Sequence, residues 1–239
     1  NGGYSAVSVL EYVDYEIVQN NPKPFIGFSD ITNFHSAFYT KTGLVGFHMD
    51  LLTYSLGWLW NLEDFSNKEI AKELFVKALT SPEPFGDLPQ ITKWESWRTG
   101  KAKGKLFGGN LSMLSTIIGT EYFPSVTDLE GAILFWEIDN ADLYRIERCL
   151  TEFKYNGVFD VISGMIVGKL PDMKKLPFEG IEHPTAKQLV LSILESYNFP
   201  IIGEVDFGHK TANVPMFVGL EASMDSDNLK ISVLESALK

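Results

Sequence analysis

The stretch PFIGFSDIT, residues 24–32, predicts a strand, a sharp turn and a helix in direct succession. A short apolar run reaches a glycine, and an amphipathic segment follows the turn. The turn would expose the hydroxyl of Ser29 beside a helix N-terminus, which is the geometry of a nucleophile elbow. The usual motif has glycine two residues after the serine, whereas this chain has Ile31. The alternative is that Ser29 or Asp30 only caps the helix.

Composition bounds the class of protein. The 239 residues suffice for one large domain or two modest ones, and 45% apolar with 13% aromatic residues predicts a globular chain. The formal net charge of -11 would repel nucleic acid over most of the surface. The basic cluster at residues 98–105 is short and glycine-interrupted, and no apolar run reaches membrane-spanning length. We therefore expect neither a nucleic acid nor a membrane as a partner.

Cys149 is the single cysteine, and it lies on a helical pattern with Ile146 and Phe153. This predicts a buried, inert thiol. A single cysteine cannot form a disulfide within the chain, which is typical of a reducing compartment, so we predict a cytoplasmic location. The chain opens at Asn1 without a methionine, as if it were cut from a longer protein. The sequence leaves open whether the chain is a monomer or a homodimer.

Strands and helices alternate along the chain, which is typical of an α/β fold, and the end is richer in strands. Strands are predicted at residues 25–26, 44–48, 105–107, 132–136, 164–167, 200–203, 216–220 and 229–234. Helices are predicted at residues 32–39, 51–60, 67–78, 111–118, 142–153 and from Pro184 onward, with a capping box at residues 66–69 and a cap at Asn110. Three prolines within residues 81–89 indicate a boundary. We therefore predict a nucleophile-bearing domain at 1–80, a linker with a tryptophan-containing loop at 81–103, and a C-terminal domain at 104–239.

The sequence contains no motif for a metal or a cofactor. It has no HExxH, no Cys-His cluster and no GxGxxG. Residues 100–105 resemble a phosphate-binding loop only superficially, because the spacing differs and Leu106 stands where a serine or threonine should bind magnesium. We therefore predict no metal and no cofactor.

Two further residues lie at strand ends, where α/β proteins place catalytic groups. His209 follows the predicted strand at 200–203 in a polar loop, and Glu137 follows the apolar run at 133–136. Each alone is more typical of a structural role. With Ser29 they give the chain order Ser, Glu, His, which is shared with α/β-hydrolases, although triads are recognised by geometry and not by order.

At this point the chain resembles the family of LD-carboxypeptidases and microcin C self-immunity peptidases, over nearly its whole length. The matching blocks are residues 2–3, 10–15, 25–32, 104–111 with its GGNL, 119–120, 133–137, 146–148, 164–168 and 206–209. Several blocks in the correct order are more specific than any single motif. The family's opening strands and helices, which precede Gly2-Gly3, are absent from this sequence. After His48 the family tends to have Gly-Pro, whereas this chain has Met49-Asp50, so the shape of that pocket wall stays open.

The resemblance implies a serine peptidase with Ser29 as nucleophile, His209 as base and Glu137 as the acid that orients it. It implies a parallel α/β nucleophile domain and a strand-rich C-terminal α/β domain, with the active site between them. We expect the oxyanion to be bound by the N–H of Asp30 and by one from Gly2-Gly3, where a missing side chain allows close approach.

The resemblance leaves two substrates open. One is a murein tetrapeptide, cleaved at its L-D bond, and the other is an aminoacyl-nucleotide. Arg98 is a candidate for reading a free carboxylate, and Trp94 or Trp97 for stacking on a base. The two tryptophans could instead form a local core at the domain boundary. A different class of function, a binding protein that kept the fold without turnover, also remains open.

Overall fold

The computed structural model describes residues 2–51, 57, 67–140, 142–171, 183–210 and 213–238. The described α-helices are α1 (Tyr15–Asn20), α2 (Thr32–Thr42), α3 (Lys68–Thr80), α4 (Leu111–Ile117), α5 (Leu143–Tyr155), α6 (Val158–Val161) and α7 (Ala186–Ile193). The described strands are β1 (Phe25–Gly27), β2 (Gly46–His48), β3 (Gly86–Asp87), β4 (Glu95–Arg98), β5 (Lys101–Asn110), β6 (Ile133–Glu137), β7 (Gly164–Gly168), β8 (Ile201–Val205), β9 (Met216–Val218), β10 (Glu221–Asp225) and β11 (Lys230–Val233). Short 3-10 turns cover Ala6–Tyr12 and Ser29–Ile31. None of the helices described is both long and apolar enough to cross a membrane.

A small sheet carries the turn that contains Ser29. It has the order β1-β2-β9, in which β1 and β2 run parallel and β9 runs antiparallel to β2. The third strand of this sheet therefore comes from the C-terminal part of the chain. Glycine at position 46 of β2 is required because a Cβ there would lie 2.5 Å from Nδ1 of His35 on α2.

A large mixed sheet forms the rest of the framework, in the order β3-β11-β10-β5-β6-β7-β8-β4. The four strands from β5 to β8 are parallel, and the outer strands are antiparallel to their neighbours. All residues of β6 and β7 are buried, so both faces of these strands are covered, as is usual for parallel strands. The predicted α/β class with a strand-rich C-terminal part is confirmed.

The segment predicted as a linker, residues 81–103, contributes β3, β4 and the start of β5 to the large sheet. It is thus part of the framework and not only a connection, because β4 pairs with β8 and β3 pairs with β11. Of the residues that superficially resemble a phosphate loop, 101–105 form the first half of β5, which pairs with β10.

Local signals gave most element positions to within a few residues. Asp142 caps α5 by accepting from the backbone N–H of Arg145 at 2.9 Å. The helix predicted from Pro184 starts two residues later, because Thr185 is its N-cap and forms a capping box with Gln188. The predicted helix at 51–60 and Ser66 of the predicted capping box lie outside the described residues, apart from Leu51 and Gly57.

Candidate active site

Ser29 lies at a strained turn between β1 and α2. Its φ is 62°, in the left-handed region that a non-glycine residue rarely occupies. Such backbone strain costs about 1–3 kcal/mol and clusters at functional sites. Ile31, which stands where the usual motif has glycine, packs against the turn, since a Cβ on Gly27 would lie 3.0 Å from its side chain. No side-chain capping bond is present at the start of α2, so the structure disfavours the alternative that Ser29 or Asp30 acts only as a cap.

The chain's opening segment lies directly beside Ser29. A Cβ on Gly2 would lie 3.3 Å from the Ser29 Oγ, and one on Gly3 would lie 3.1 Å from Oδ2 of Asp30. The same buried carboxylate oxygen accepts from the backbone N–H of Ser5 at 3.1 Å and of Ala6 at 3.0 Å. The side chain of Asp30 therefore anchors the residues that follow Gly2-Gly3 next to the serine.

Glu137 is the last residue of β6, and its side chain is fully buried. Its Oε2 lies 2.7 Å from Nδ1 of His209, and its Oε1 accepts from Nδ2 of Asn110 at 2.9 Å. Both carboxylate oxygens are thus engaged, as a buried charge requires. Asn110 was predicted only as a cap; it does cap α4, accepting from the N–H of Met113 at 3.2 Å, and it also fixes Glu137. Its place at the end of β5 was the signal that could have revealed this second role.

The environment of His209 favours its protonated form. Burial lowers the pKa of the imidazole, but the hydrogen bond and charge of Glu137, with the charge of Asp139, outweigh burial and raise it above its usual value. In the neutral imidazole, an Nδ1 that donates to Glu137 leaves Nε2 as the acceptor, which is the tautomer that a general base needs. Glycine before His209 is required, because Gly208 has φ 115° and a Cβ there would lie 3.1 Å from the Cβ of Glu137.

Residues on either side of Ser29 contact His209 and the end of β5. The ring of Phe28, the residue before Ser29, packs edge-on against the His209 ring with a centroid distance of 4.9 Å. The backbone N–H of Asn110 donates to Oγ1 of Thr32, at the start of α2, at 2.9 Å. The structure thus brings together the elements that carry Ser29, Glu137 and His209.

The two tryptophans predicted to stack on a base are packed against other parts of the chain, whereas Arg98, the candidate for reading a carboxylate, is half-buried and stays a prediction. Trp94 has no exposed surface, and its Nε1 donates to Asp206 Oδ2 at 2.6 Å. Trp97 is 8% exposed and covers Gly203 of β8, while Arg98 donates to the carbonyl of Leu194 at the end of α7 at 2.8 Å. A side chain packed in this way offers no face to a base. The alternative that the tryptophans form a local core is the one the structure supports.

Two other histidines are buried near the elbow. Nε2 of His35 lies 3.0 Å from the carbonyl of Gly27, and the ring of His48 contacts Phe28 and Phe207. Burial lowers the pKa of His35 to about 4. Burial, and then the charges of His35 and His209, lower the pKa of His48 well below its usual value. Both are neutral near pH 7 and belong to the packing around the elbow.

Comparison with known proteins is consistent with this arrangement. The family model for the LD-carboxypeptidase N-terminal domain matches residues 1–49, and that for the C-terminal domain matches residues 103–224. The microcin C7 self-immunity protein MccF of Escherichia coli is 30% identical, with the match covering 99% of this chain and 73% of that protein. A probable murein peptide carboxypeptidase of Bacillus subtilis is 29% identical, covering 100% of this chain and 72% of that protein.

Solved structures agree. An MccF-like protein from Bacillus anthracis superimposes with a TM-score of 0.82 at 29% identity, covering 98% of this chain and 74% of that chain. MccF in complex with glutamyl sulfamoyl guanosine has a TM-score of 0.84 at 27% identity, covering 100% of this chain and 75% of that chain. An MccF active-site mutant in which a serine, an asparagine and a lysine are replaced by alanine is similar to the same extent, with a TM-score of 0.85. This chain belongs to the LD-carboxypeptidase family.

Proposed function

We propose that this chain is a serine-type carboxypeptidase whose nucleophile is Ser29. The observation that carries the proposal is the 2.7 Å contact between His209 and the buried carboxylate of Glu137, at a loop that packs on the strained Ser29 turn. A nucleophile on a strained turn, a base beside it and an acid that orients the base are the parts of a serine-hydrolase triad. The family membership supports the reaction class.

In this mechanism Nε2 of His209 takes the Ser29 proton as Oγ attacks the amide carbonyl, and later gives that proton to the leaving amine. Glu137 orients the imidazole and stabilises its cation. The backbone N–H groups of Asp30 and of the Gly2-Gly3 segment are the proposed oxyanion donors. Removing one such donor costs roughly 3–4 kcal/mol of transition-state stabilisation. Water then attacks the acyl-serine with the same base, and Ser29 is regenerated.

Two substrates follow from the relatives. The murein peptide carboxypeptidase supports a murein tetrapeptide cleaved at its L-D bond, and the MccF complexes with aminoacyl sulfamoyl nucleotides support an aminoacyl-nucleotide. Both substrates are small and carry a free carboxyl or an acyl amide. A Ser-His-Glu triad can cleave such an acyl bond without a metal ion. The cytoplasmic location stays a prediction that fits either substrate.

The test is to incubate the purified chain with a murein tetrapeptide and with an aspartyl sulfamoyl-adenosine, and to identify the products by mass spectrometry. Ser29→Ala should lower turnover by at least three orders of magnitude and leave the fold intact. The matched control is Ser36→Ala on α2, whose buried hydroxyl donates to the carbonyl of Tyr122 at 2.8 Å. That control should lose stability and keep turnover. Retained turnover in Ser29→Ala would overturn the assignment.

A further inference from the structure

A buried carboxylate from the nucleophile half of the molecule reaches toward the loop of His209. Asp50 comes two residues after β2, where the family tends to have Gly-Pro, and it is only 2% exposed. A charged group is costly to bury unless it is hydrogen-bonded. The carboxylate of Asp50, which departs from the family pattern, is hydrogen-bonded to Asn213.

Asn213 connects Asp50 to the backbone beside the catalytic histidine. Its Nδ2 donates to Oδ1 of Asp50 at 2.8 Å, and its Oδ1 accepts from the backbone N–H of Gly208 at 2.6 Å. Asn213 is 4% exposed, so both bonds lie away from solvent. Gly208 is the residue before His209 and packs on Glu137. The path thus runs from Asp50 through one side chain to the backbone N–H of the residue before His209.

The start of the His209 loop is anchored by the segment between β3 and β4. The carboxylate of Asp206 accepts from the N–H groups of Ile91 and Thr92 at 2.8 and 3.0 Å and from the indole of Trp94 at 2.6 Å. Its carbonyl accepts from the N–H of Val214 at 2.7 Å. The loop is therefore held at Asp206 by the segment between β3 and β4 and at Asn213 by Asp50.

We propose that Asp50 is a positioning residue that, through Asn213 and the N–H of Gly208, sets the position of His209 relative to Ser29. This inference rests on the proposed function. A displacement of about 1 Å in a catalytic group costs on the order of 100-fold in rate. The expected effect of breaking the path is therefore a loss in kcat with KM little changed, because the path touches the base and not the substrate.

Exchanging the two side chains gives a sharp test. Asn213→Asp places two carboxylates face to face, and like charges at hydrogen-bond distance repel. In Asp50→Asn the new amide oxygen can still accept from Asn213. In the double variant Asp50→Asn, Asn213→Asp, the aspartate at 213 accepts from both Gly208 and the new amide, so both bonds return. A matched control is the exposed pair Asn228–Asp225, joined at 2.9 Å in a turn.

Two readouts are measured on each variant: kcat and KM on whichever substrate is cleaved, and amide hydrogen exchange of the peptide that contains Gly208. Asn213→Asp should lower kcat about 100-fold, keep KM within about threefold and speed exchange at Gly208. Asp50→Asn should lose less, and the double variant should recover at least tenfold over Asn213→Asp. Asn228→Asp should change neither readout.

Unchanged kcat and unchanged exchange in Asn213→Asp would overturn the proposal, as would a double variant that recovers neither. If Asn213→Asp does not fold, Asn213→Ala removes both bonds without adding charge, and wild-type kcat in that variant would equally refute it. Failure of the proposed function is distinguished by Ser29→Ala, because an active Ser29→Ala refutes the triad whereas exchange at Gly208 still tests the path.

Discussion

Asn110 makes two contacts whose contributions can be separated. Its Oδ1 caps α4, and its Nδ2 donates to the buried Glu137 at 2.9 Å. A hydrogen bond to a charged group contributes about 1.5–3 kcal/mol, and loss of an N-cap costs about 1 kcal/mol. Asn110→Ala should therefore lower the free energy of unfolding by about 2.5–4 kcal/mol. For a chain of this size that corresponds to a fall in Tm of roughly 5–15 °C.

Asp142 provides the matched control. It caps α5 with similar geometry, accepting from the N–H of Arg145 at 2.9 Å, and it makes no hydrogen bond to Glu137 or His209 among the described contacts. Asp142→Ala should cost only the cap, about 1 kcal/mol, and leave kcat unchanged. Asn110→Ala should in addition lower kcat by roughly 10–100-fold, because Glu137 loses the partner that fixes its orientation.

The assay is urea unfolding of both variants together with steady-state kinetics of the folded protein. Asn110→Asp adds a third measurement, because an aspartate keeps the cap, removes the donor and places a second carboxylate beside Glu137. If Asn110→Ala loses no more stability than Asp142→Ala and retains kcat, then the contact with Glu137 contributes neither stability nor orientation, and the reasoning is refuted.

Three further changes test the same site. Glu137→Gln should lower kcat by several orders of magnitude. Because the pKa of His209 is raised above its usual 6.5, the acid limb of kcat/KM in the wild type should lie above pH 6.5. Loss of the Glu137 charge should move that limb to lower pH in the variant, as read from pH–rate profiles. Gly208→Ala should lower both kcat and Tm, because the left-handed backbone and the 3.1 Å approach to Glu137 exclude a Cβ; a fully active variant would contradict this. Thr32→Val should cost about 1–3 kcal/mol in a denaturation assay, because it leaves the buried N–H of Asn110 without its 2.9 Å acceptor, and an unchanged midpoint would rule this out.

The sequence predicted the secondary structure well wherever neighbouring residues determine it. The turn at Ser29, the cap at Asn110 and the continuous apolar runs of β6 and β7 depend on neighbours a few residues away. The positions of Glu137 and His209 at strand ends followed from the same local patterns. That these two residues meet was implied by the resemblance and not by the pattern, because no local signal relates side chains 72 residues apart.

The burial of Trp94 and Trp97, which disfavours a stacking role, depends on residues far away in the sequence. A polar stretch around an aromatic side chain suggests exposure, but the partner that buries Trp94 is Asp206, which is 112 residues later in the chain. Likewise, β4 is stabilised by its pairing with β8, and its own short sequence does not predict a strand. The contact between Asp50 and Asn213 spans 163 residues and was equally invisible.

The route of the backbone explains why the halves of the site meet. The chain leaves the large sheet at β8, passes through His209, and enters the small sheet at β9, which pairs with β2. β2 in turn pairs with β1, whose last residue, Gly27, lies opposite His48 and precedes the Ser29 turn. The backbone of the His209 loop is therefore linked through two strand pairings, β9 with β2 and β2 with β1, to the backbone of the Ser29 turn. Sliding one half past the other would break those ladder bonds, so we expect the Ser29–His209 alignment to be preformed and not to require closure around a substrate.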